Sequence, residues 1–264
     1  MRRMEKKKQA VLVVSFGTSH LDTLEKTIQP IEWDIAGRMP GRVQRRAFTS
    51  GMILRHLKDR DGLHIDDVSQ ALERLAAEGF DDVVIQPTHI MNGEEFGKLK
   101  RQAEPFLGRF EALRFGRPLL TTVQDYRDLT GALISILPEA EENTAHVWMG
   151  HGTEHFANAA YCQLSYMLYD RGRPDIVIGT VEGYPGVDEV FRRLAEQPRV
   201  SRVCLYPLMV VAGDHAKNDL AGEGHDSWKS LLAKKGYQVE CVLNGLGEYP
   251  AIRALFVQHA LEAE

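Results

Sequence analysis

The sequence predicts an α/β fold: two similar domains, each a parallel sheet flanked by helices, related by a pseudo-twofold axis with a cleft between them. Three observations predict it. Short apolar runs alternate with amphipathic helical patterns along the whole chain, as expected where parallel strands are joined by crossover helices. The pattern restarts midway with matching sequence blocks. The length of 264 residues suits about two domains at roughly 150 residues each.

Taken in order, residues 10–16 read as a buried strand. Leu24, Ile28, Ile31 and Ile35 then share one helical face, with Pro30 early enough to bend it. A second strand is expected over 43–48 and a helix over 52–57. Asp66 and Asp67 mark a helix start, and Val68, Leu72 and Leu75 form its inner face. A third strand follows at 82–86, then helices near 94–106 and 124–136, with a fourth strand near 118–122. The second run places strands near 145–149, 175–180, 202–208 and 237–243, with helices between them and one at the end.

The restart is visible residue by residue. Ser15-Phe16-Gly17-Thr18-Ser19-His20 aligns with Gly150-His151-Gly152-Thr153-Glu154-His155 at an offset of 135. Val84-Ile85-Gln86-Pro87 through Asn92-Gly93-Glu94-Glu95 aligns with Cys204-Leu205-Tyr206-Pro207 through Ala212-Gly213-Asp214-His215 at an offset of 120. Thr49-Ser50-Gly51 falls opposite Val181-Glu182-Gly183 at an offset of 132. Two copies of one unit are expected, spanning 1–135 and 136–264.

In open parallel sheets, ligands bind beyond the carboxyl ends of the strands. At three such loops the first half presents Phe16, Ser50 and Glu95, where the second presents His151, Glu182 and His215. Two neutral imidazoles and a carboxylate suit Co(II), Fe(II), Ni(II) or Zn(II), with positions left open for water or substrate. His151 and His215 are 64 residues apart, so their meeting depends on the fold and not on a local metal motif. The alternative is that each histidine caps a strand end or fills a satisfied polar pocket. His155 reads as the opening of the next helix or as a group behind the metal ligands. His20 reads as a packing or solvent-facing residue, and His89 as a structural residue or a ligand contact. Ser15-Phe16-Gly17-Thr18-Ser19 could cradle an anion, because glycine lets the backbone approach closely and a helix start exposes N–H groups.

Composition narrows the function. Hydrophobic residues make up 44% and charged residues 26%, a globular balance. The net charge is −5, which offers no bulk attraction to nucleic acid or an anionic membrane. No apolar run approaches the about 18 residues of a membrane span. The basic N-terminal stretch precedes an apolar core too short for a signal peptide, so a cytoplasmic protein is expected. Three scattered cysteines argue against a disulfide framework and read as buried hydrophobes. There is no P-loop or G-x-G-x-x-G fingerprint, so no nucleotide is expected, and no G-x-S-x-G elbow.

Several blocks, in order and in register, resemble the anaerobic sirohydrochlorin cobaltochelatases, which are class II chelatases. They are Leu12-Val13-Val14-Ser15-Phe16-Gly17-Thr18-Ser19, Ala47-Phe48-Thr49-Ser50-Gly51-Met52-Ile53, Met149-Gly150-His151-Gly152 and Val181-Glu182-Gly183-Tyr184-Pro185. The longest is Pro207-Leu208-Met209-Val210-Val211-Ala212-Gly213-Asp214-His215-Ala216-Lys217-Asn218-Asp219, and Asp226-Ser227-Trp228-Lys229 and Gly245-Leu246-Gly247-Glu248 follow it.

The resemblance implies a chelatase-like fold whose last helix can cross back to the first domain. It implies insertion of Co(II), as substrate metal, into sirohydrochlorin or precorrin-2 without ATP. The family's two histidines and glutamate carry over onto His151, His215 and Glu182. Whether Glu182 is a ligand or a proton acceptor stays open, as do the choice between cobalt and iron, a carrier role without turnover, and the formation of a homo-oligomer. Because the substrate is rich in carboxylates, Ser15, Phe16, Thr18, Ser19, Ser50 and His89 are expected to contact it, with Arg45 and Arg55 as weaker candidates.

Overall fold

The computed structural model describes residues 7–264, and the basic stretch over 1–6 lies outside the described residues. The chain divides into two compact units. One is the stretch up to Thr121 together with Arg253–Glu264, and the other is Thr122–Ile252.

The first unit runs β1 (Gln9–Ser15), α1 (Leu21–Lys26), α2 (Ile28–Arg38), β2 (Arg42–Phe48), α3 (Gly51–Asp61), α4 (Val68–Ala77), β3 (Asp82–Pro87), α5 (Glu94–Ala103) and β4 (Ala112–Phe115). Its strands form a parallel sheet in the order β2-β1-β3-β4. The second runs α6 (Val123–Ile136), β5 (Thr144–Gly150), α7 (Ala159–Asp170), β6 (Ile176–Thr180), α8 (Val187–Ala195), β7 (Arg202–Pro207), α9 (Trp228–Lys234) and β8 (Gln238–Cys241). Its sheet is also parallel, in the order β6-β5-β7-β8. The two topologies are identical.

Burial explains the apolar runs. Every residue of β3 and β5 is buried, because helices cover both faces of a central parallel strand. In the first core, Leu12, Val14, Val83 and Ile85 pack against Leu72 and Leu75 of α4 and Leu99 of α5. In the second, Val147, Met149 and Leu205 pack against Val190 and Leu194 of α8, Leu220 and Trp228. Asp67 caps α4 through a reciprocal bond with Gln70, as its position before the apolar face requires.

The repeat extends to individual backbone hydrogen bonds. Thr49 N–H donates to Ser15 and Ser50 N–H to Phe16, as Val181 does to Gly150 and Glu182 to His151. Thr88 donates to Val14 as Leu208 does to Met149, and Gly116 to Ile85 as Val242 does to Leu205. Gly17 and Gly152 hold φ of +103° and +83°, the left-handed region that favours glycine.

Four features differ from the sequence reading. The fourth strand is Ala112–Phe115, not 118–122. Pro118 has no N–H, and Leu119 and Leu120 donate to the loop carbonyls of His89 and Ile90, so those leucines are buried without extending the sheet beyond a Met91–Leu120 bridge. The first long helix breaks at Thr27 and not at Pro30. Pro30 lies in the first turn of α2, where its missing N–H has no helical partner to lose. Helix α6 packs on α7 and clusters with the second unit, so the 135/136 boundary lies at its far end. Of the cysteines, Cys204 is buried but Cys162 is exposed on α7.

The final helix, α10 (Pro250–Leu261), ends in the first unit. Phe256 and Ala260 are buried, His259 Nδ1 meets the Arg117 carbonyl at 3.1 Å, and Arg253 pairs with Asp34 at 2.6 Å. Among the described residues no helix is long and apolar enough to cross a membrane.

At the start of β3, Asp82 receives both Arg42 nitrogens at 3.1 and 2.8 Å, Arg114 at 2.5 Å and Gln9 at 2.8 Å. Burial raises the Asp82 carboxyl, but the hydrogen bonds and charge of Arg42, the charge of Arg114 and the Gln9 amide outweigh it and hold the pKa below the usual carboxylate range. A depressed folded pKa gives stability that is present above the unfolded value of about 4 and is lost as pH falls through the folded one. Chemical unfolding of Asp82→Asn and the parent should therefore differ most near neutrality, with the gap closing as pH falls below about 4. A gap independent of pH would assign the loss to packing alone.

A candidate metal centre at the strand ends of the second unit

His151 directly follows β5, and Glu182 lies two residues beyond β6. Their backbones are tied: Val181 N–H donates to Gly150 at 3.0 Å and Glu182 N–H to His151 at 2.8 Å, extending the parallel pairing past the strands. The chain then turns at Gly152. A Cβ there would lie 2.6 Å from the Gly183 nitrogen and 2.9 Å from the Glu182 carbonyl carbon. The two loops are therefore in backbone contact, with no room for a side chain between them.

Two residues of the α7 region brace this contact. Tyr161 lies against Gly150, where a Cβ would sit 2.4 Å from its ring, and its hydroxyl accepts from Gly152 N–H at 3.4 Å. Burial pushes the Tyr161 hydroxyl up to about 12, so it stays neutral. Asn158 accepts from Thr153 N–H at 3.0 Å and donates to the Tyr184 carbonyl at 2.6 Å, joining the His151 loop to the Glu182 loop. His155 accepts from Ala157 N–H at 3.1 Å and so opens the turn that leads into α7.

His215 comes from the loop after β7 and starts a π-helical turn, Ala216–Leu220. Ala216 and Leu220 are fully buried and anchor that turn. The side chains of His151, Glu182 and His215 converge, and one potential ligand atom from each lies within 4.8 Å of the others. The imidazole rings are 4.5 Å apart at 87°, and His151 Nδ1 is 3.6 Å from the Glu182 carboxylate.

Both Nδ1 atoms face acceptors. His151 Nδ1 is 2.8 Å from the Gly152 carbonyl, and His215 Nδ1 is 2.7 Å from Asp219 Oδ2. A carbonyl only accepts, so neutral His151 carries its proton on Nδ1 and its lone pair on Nε2. Nitrogen and oxygen ligands bind a divalent ion at about 2.0–2.2 Å, which sets them about 3–4 Å apart. The three potential ligand atoms, within 4.8 Å of one another, are grouped slightly wider than this and would draw together around an ion. The side chains are 46%, 57% and 36% exposed, so the site is open to water and to an incoming ligand.

The equivalent positions of the first unit are built differently. Ser15 accepts from Thr88 at 2.8 Å, Thr18 from His20 N–H at 3.2 Å and Ser50 from Ile53 N–H at 3.4 Å. Each keeps its own O–H as a donor. Phe16 is partly exposed, and the Ser19 carbonyl accepts from Arg60 at 2.5 Å. His89 Nε2 is 3.4 Å from Thr49 Oγ1, and its Nδ1 is sealed from solvent without a partner. Burial pulls the His89 pKa down to about 4, so the ring is neutral. Glu95, at the place of His215, also has a sealed oxygen without a partner.

The family model described as Cobalt chelatase (CbiK) matches residues 9–264. The chain belongs to this family of metal chelatases. It is 47% identical to the sirohydrochlorin cobaltochelatase of Salmonella typhimurium over 256 residues, which covers 97% of this chain and 96% of that one. It is 34% identical to sirohydrochlorin cobaltochelatase CbiKC of Nitratidesulfovibrio vulgaris, covering 97% and 90%. Among solved structures, SirB from Bacillus subtilis with Fe3+ matches with a TM-score of 0.65 at 13% identity, covering 97% of this chain and 95% of that one. CbiX, described as the terminal enzyme for biosynthesis of siroheme in denitrifying bacteria, matches with a TM-score of 0.56 at 16% identity, covering 96% and 99%. These two show the shared class II chelatase fold.

Sequence reasoning missed Asp219, Asn158 and Tyr161. Asp219 had a readable signal, a carboxylate four residues after a candidate ligand. Asn158 and Tyr161 act through loop contacts with no local pattern.

The Gly152 contact generates a test. Gly152→Ala places a methyl group against backbone at φ +83° and should push the Glu182 loop away from His151. Co(II) titration should show at least an about tenfold weaker site, equivalent to about 1.4 kcal/mol, with far-UV circular dichroism unchanged. Unaltered Co(II) binding would show that the loop contact does not set the site.

Proposed function

We propose that this chain inserts Co(II) into sirohydrochlorin without nucleotide, holding the incoming metal on His151, Glu182 and His215. The observation that carries the reading is the convergence of these three side chains, at the strand ends of one unit, in a chain of the cobalt chelatase family. The names of the relatives from Salmonella typhimurium and Nitratidesulfovibrio vulgaris support sirohydrochlorin as the substrate.

The chemistry asks for few things. The ion must leave its water shell, and the macrocycle must lose two pyrrole protons as the dication enters. Two imidazole nitrogens and one carboxylate oxygen hold a divalent ion through a minority of its coordination positions. The remainder can exchange water for pyrrole nitrogen. The open placement of the three side chains allows that exchange. Glu182 is the group with both roles: its carboxylate binds the ion, and an oxygen released as the metal transfers can accept a pyrrole proton. Neutral imidazoles can bind without over-stabilising the ion, and a histidine freed of metal can take the second proton.

Ser15, Phe16, Thr18, Ser19, Ser50 and His89 are the proposed macrocycle contacts of the first unit. Phe16 offers an exposed ring to an apolar edge, whereas Ser15, Thr18 and Ser50 are buried, their hydroxyl oxygens accepting from Thr88, His20 N–H and Ile53 N–H.

Anaerobic absorbance with sirohydrochlorin and Co(II) or Fe(II), each against a protein-free blank, tests the reading. Co(II) insertion should exceed the blank. His151→Ala and His215→Ala should each lower it at least about 100-fold, about 2.7 kcal/mol of transition-state stabilisation. Their melting temperatures should stay close to the parent value, because exposed loop side chains contribute little to the core. Full activity in a folded histidine variant would remove that residue from the site, and acceleration with Fe(II) alone would reassign the metal.

A further inference from the structure

The turn that carries His215 is wider than its counterpart in the first unit. In α5, Phe96 and Leu99 supply the buried contacts, three residues apart. In the second unit, Ala216 and Leu220 supply them, four residues apart, and Ala221 N–H reaches back to the Ala216 carbonyl. Position 216 corresponds to 96 at the offset of 120, but the second buried contact has moved one residue later. The π turn thus holds one residue more between its anchors, and the residue this frees from the core is Asp219. Leu99 is fully buried, whereas Asp219 faces outward with its carboxylate 2.7 Å from His215 Nδ1.

Gly222 closes the turn. Its N–H donates to the Asn218 carbonyl at 3.1 Å, and a Cβ there would lie 2.3 Å from that oxygen. The pair His215 and Asp219 is therefore held by the buried pair one residue later and by a glycine-dependent closure. Both side chains are partly exposed, so the pair itself adds little to stability.

We propose that Asp219 is a positioning residue for His215: its carboxylate holds the proton on Nδ1 and presents Nε2 to the metal. The inference rests on the proposed function of the His151, Glu182 and His215 cluster. A carboxylate behind a histidine fixes the tautomer and the ring orientation, and loss of such a partner typically weakens metal binding by about 10–100-fold. The two imidazoles of this site are oriented by different acceptors, His151 by a backbone carbonyl that no side-chain substitution removes and His215 by a side chain.

The test compares Asp219→Ala, Asp219→Asn and His215→Ala with the parent chain. Co(II) affinity is measured without tetrapyrrole by competition with a chelating dye, together with the visible spectrum of bound Co(II). Initial insertion rates are then measured with Co(II) and sirohydrochlorin varied separately. Asp219→Ala should weaken Co(II) about 10–100-fold and raise the KM for Co(II), leave the KM for sirohydrochlorin unchanged, and alter the Co(II) spectrum. Asp219→Asn keeps an oxygen that accepts from Nδ1–H and should restore part of the affinity. In the metal-free protein, 15N spectra should place the His215 proton on Nδ1 in the parent and lose that preference in Asp219→Ala. Parent-like Co(II) binding and tautomer in Asp219→Ala, with binding lost in His215→Ala, would overturn the role of Asp219 alone. Parent-like Co(II) binding in His215→Ala would overturn the metal-site reading and the positioning role with it.

Discussion

Two backbone hydrogen bonds carry the site: Val181 to Gly150 and Glu182 to His151. They continue the pairing of β5 with β6 beyond the strands, and they make His151 and Glu182 neighbours although 31 positions separate them in the chain. Gly152 permits the approach, because any larger residue would meet the Gly183 nitrogen. Asn158 and Tyr161 then lock the loops from the side of α7. The acidic and basic groups of the site are exposed, but the frame that aims them is backbone, and its rigidity comes from a buried sheet.

The same frame exists twice with different groups mounted on it. Ser50 donates to Phe16 as Glu182 does to His151. In the first unit the side chains at these places are an aromatic ring and a hydroxyl that caps α3. In the second they are an imidazole and a carboxylate that meet. The backbone pattern requires little of the side chains that leave the strand ends, so one copy can change its chemistry while both keep the fold.

How far the sequence was legible follows from this. The central strands were readable because burial on both faces leaves an uninterrupted apolar run, as in Val11–Val14 and Val147–Met149. His151, Glu182 and His215 could be named because the repeat aligned them with Phe16, Ser50 and Glu95, and strand ends are where parallel sheets present side chains. The fourth strand was not readable: the buried pair Leu119 and Leu120 imitates a strand, whereas the edge strand Ala112–Phe115 is only partly buried. Asp219 escaped because the π turn shifts the repeat by one residue where it matters, so its formal counterpart is the core residue Leu99. A helix break at Thr27 left no signal, since the apolar face of Leu24, Ile28, Ile31 and Ile35 runs through it unbroken.

In the proposed function, one Co(II) ion binds to two imidazoles and one carboxylate of the second unit. X-ray absorption at the cobalt edge on the anaerobic Co(II)-loaded protein, without tetrapyrrole, addresses it directly. The expected spectrum shows the outer-shell scattering of two imidazole rings, with light oxygen and nitrogen ligands at about 2.0–2.2 Å, and one imidazole contribution disappears in His215→Ala. A spectrum of hydrated Co(II) without imidazole scattering, or one unchanged by that substitution, would contradict the claim.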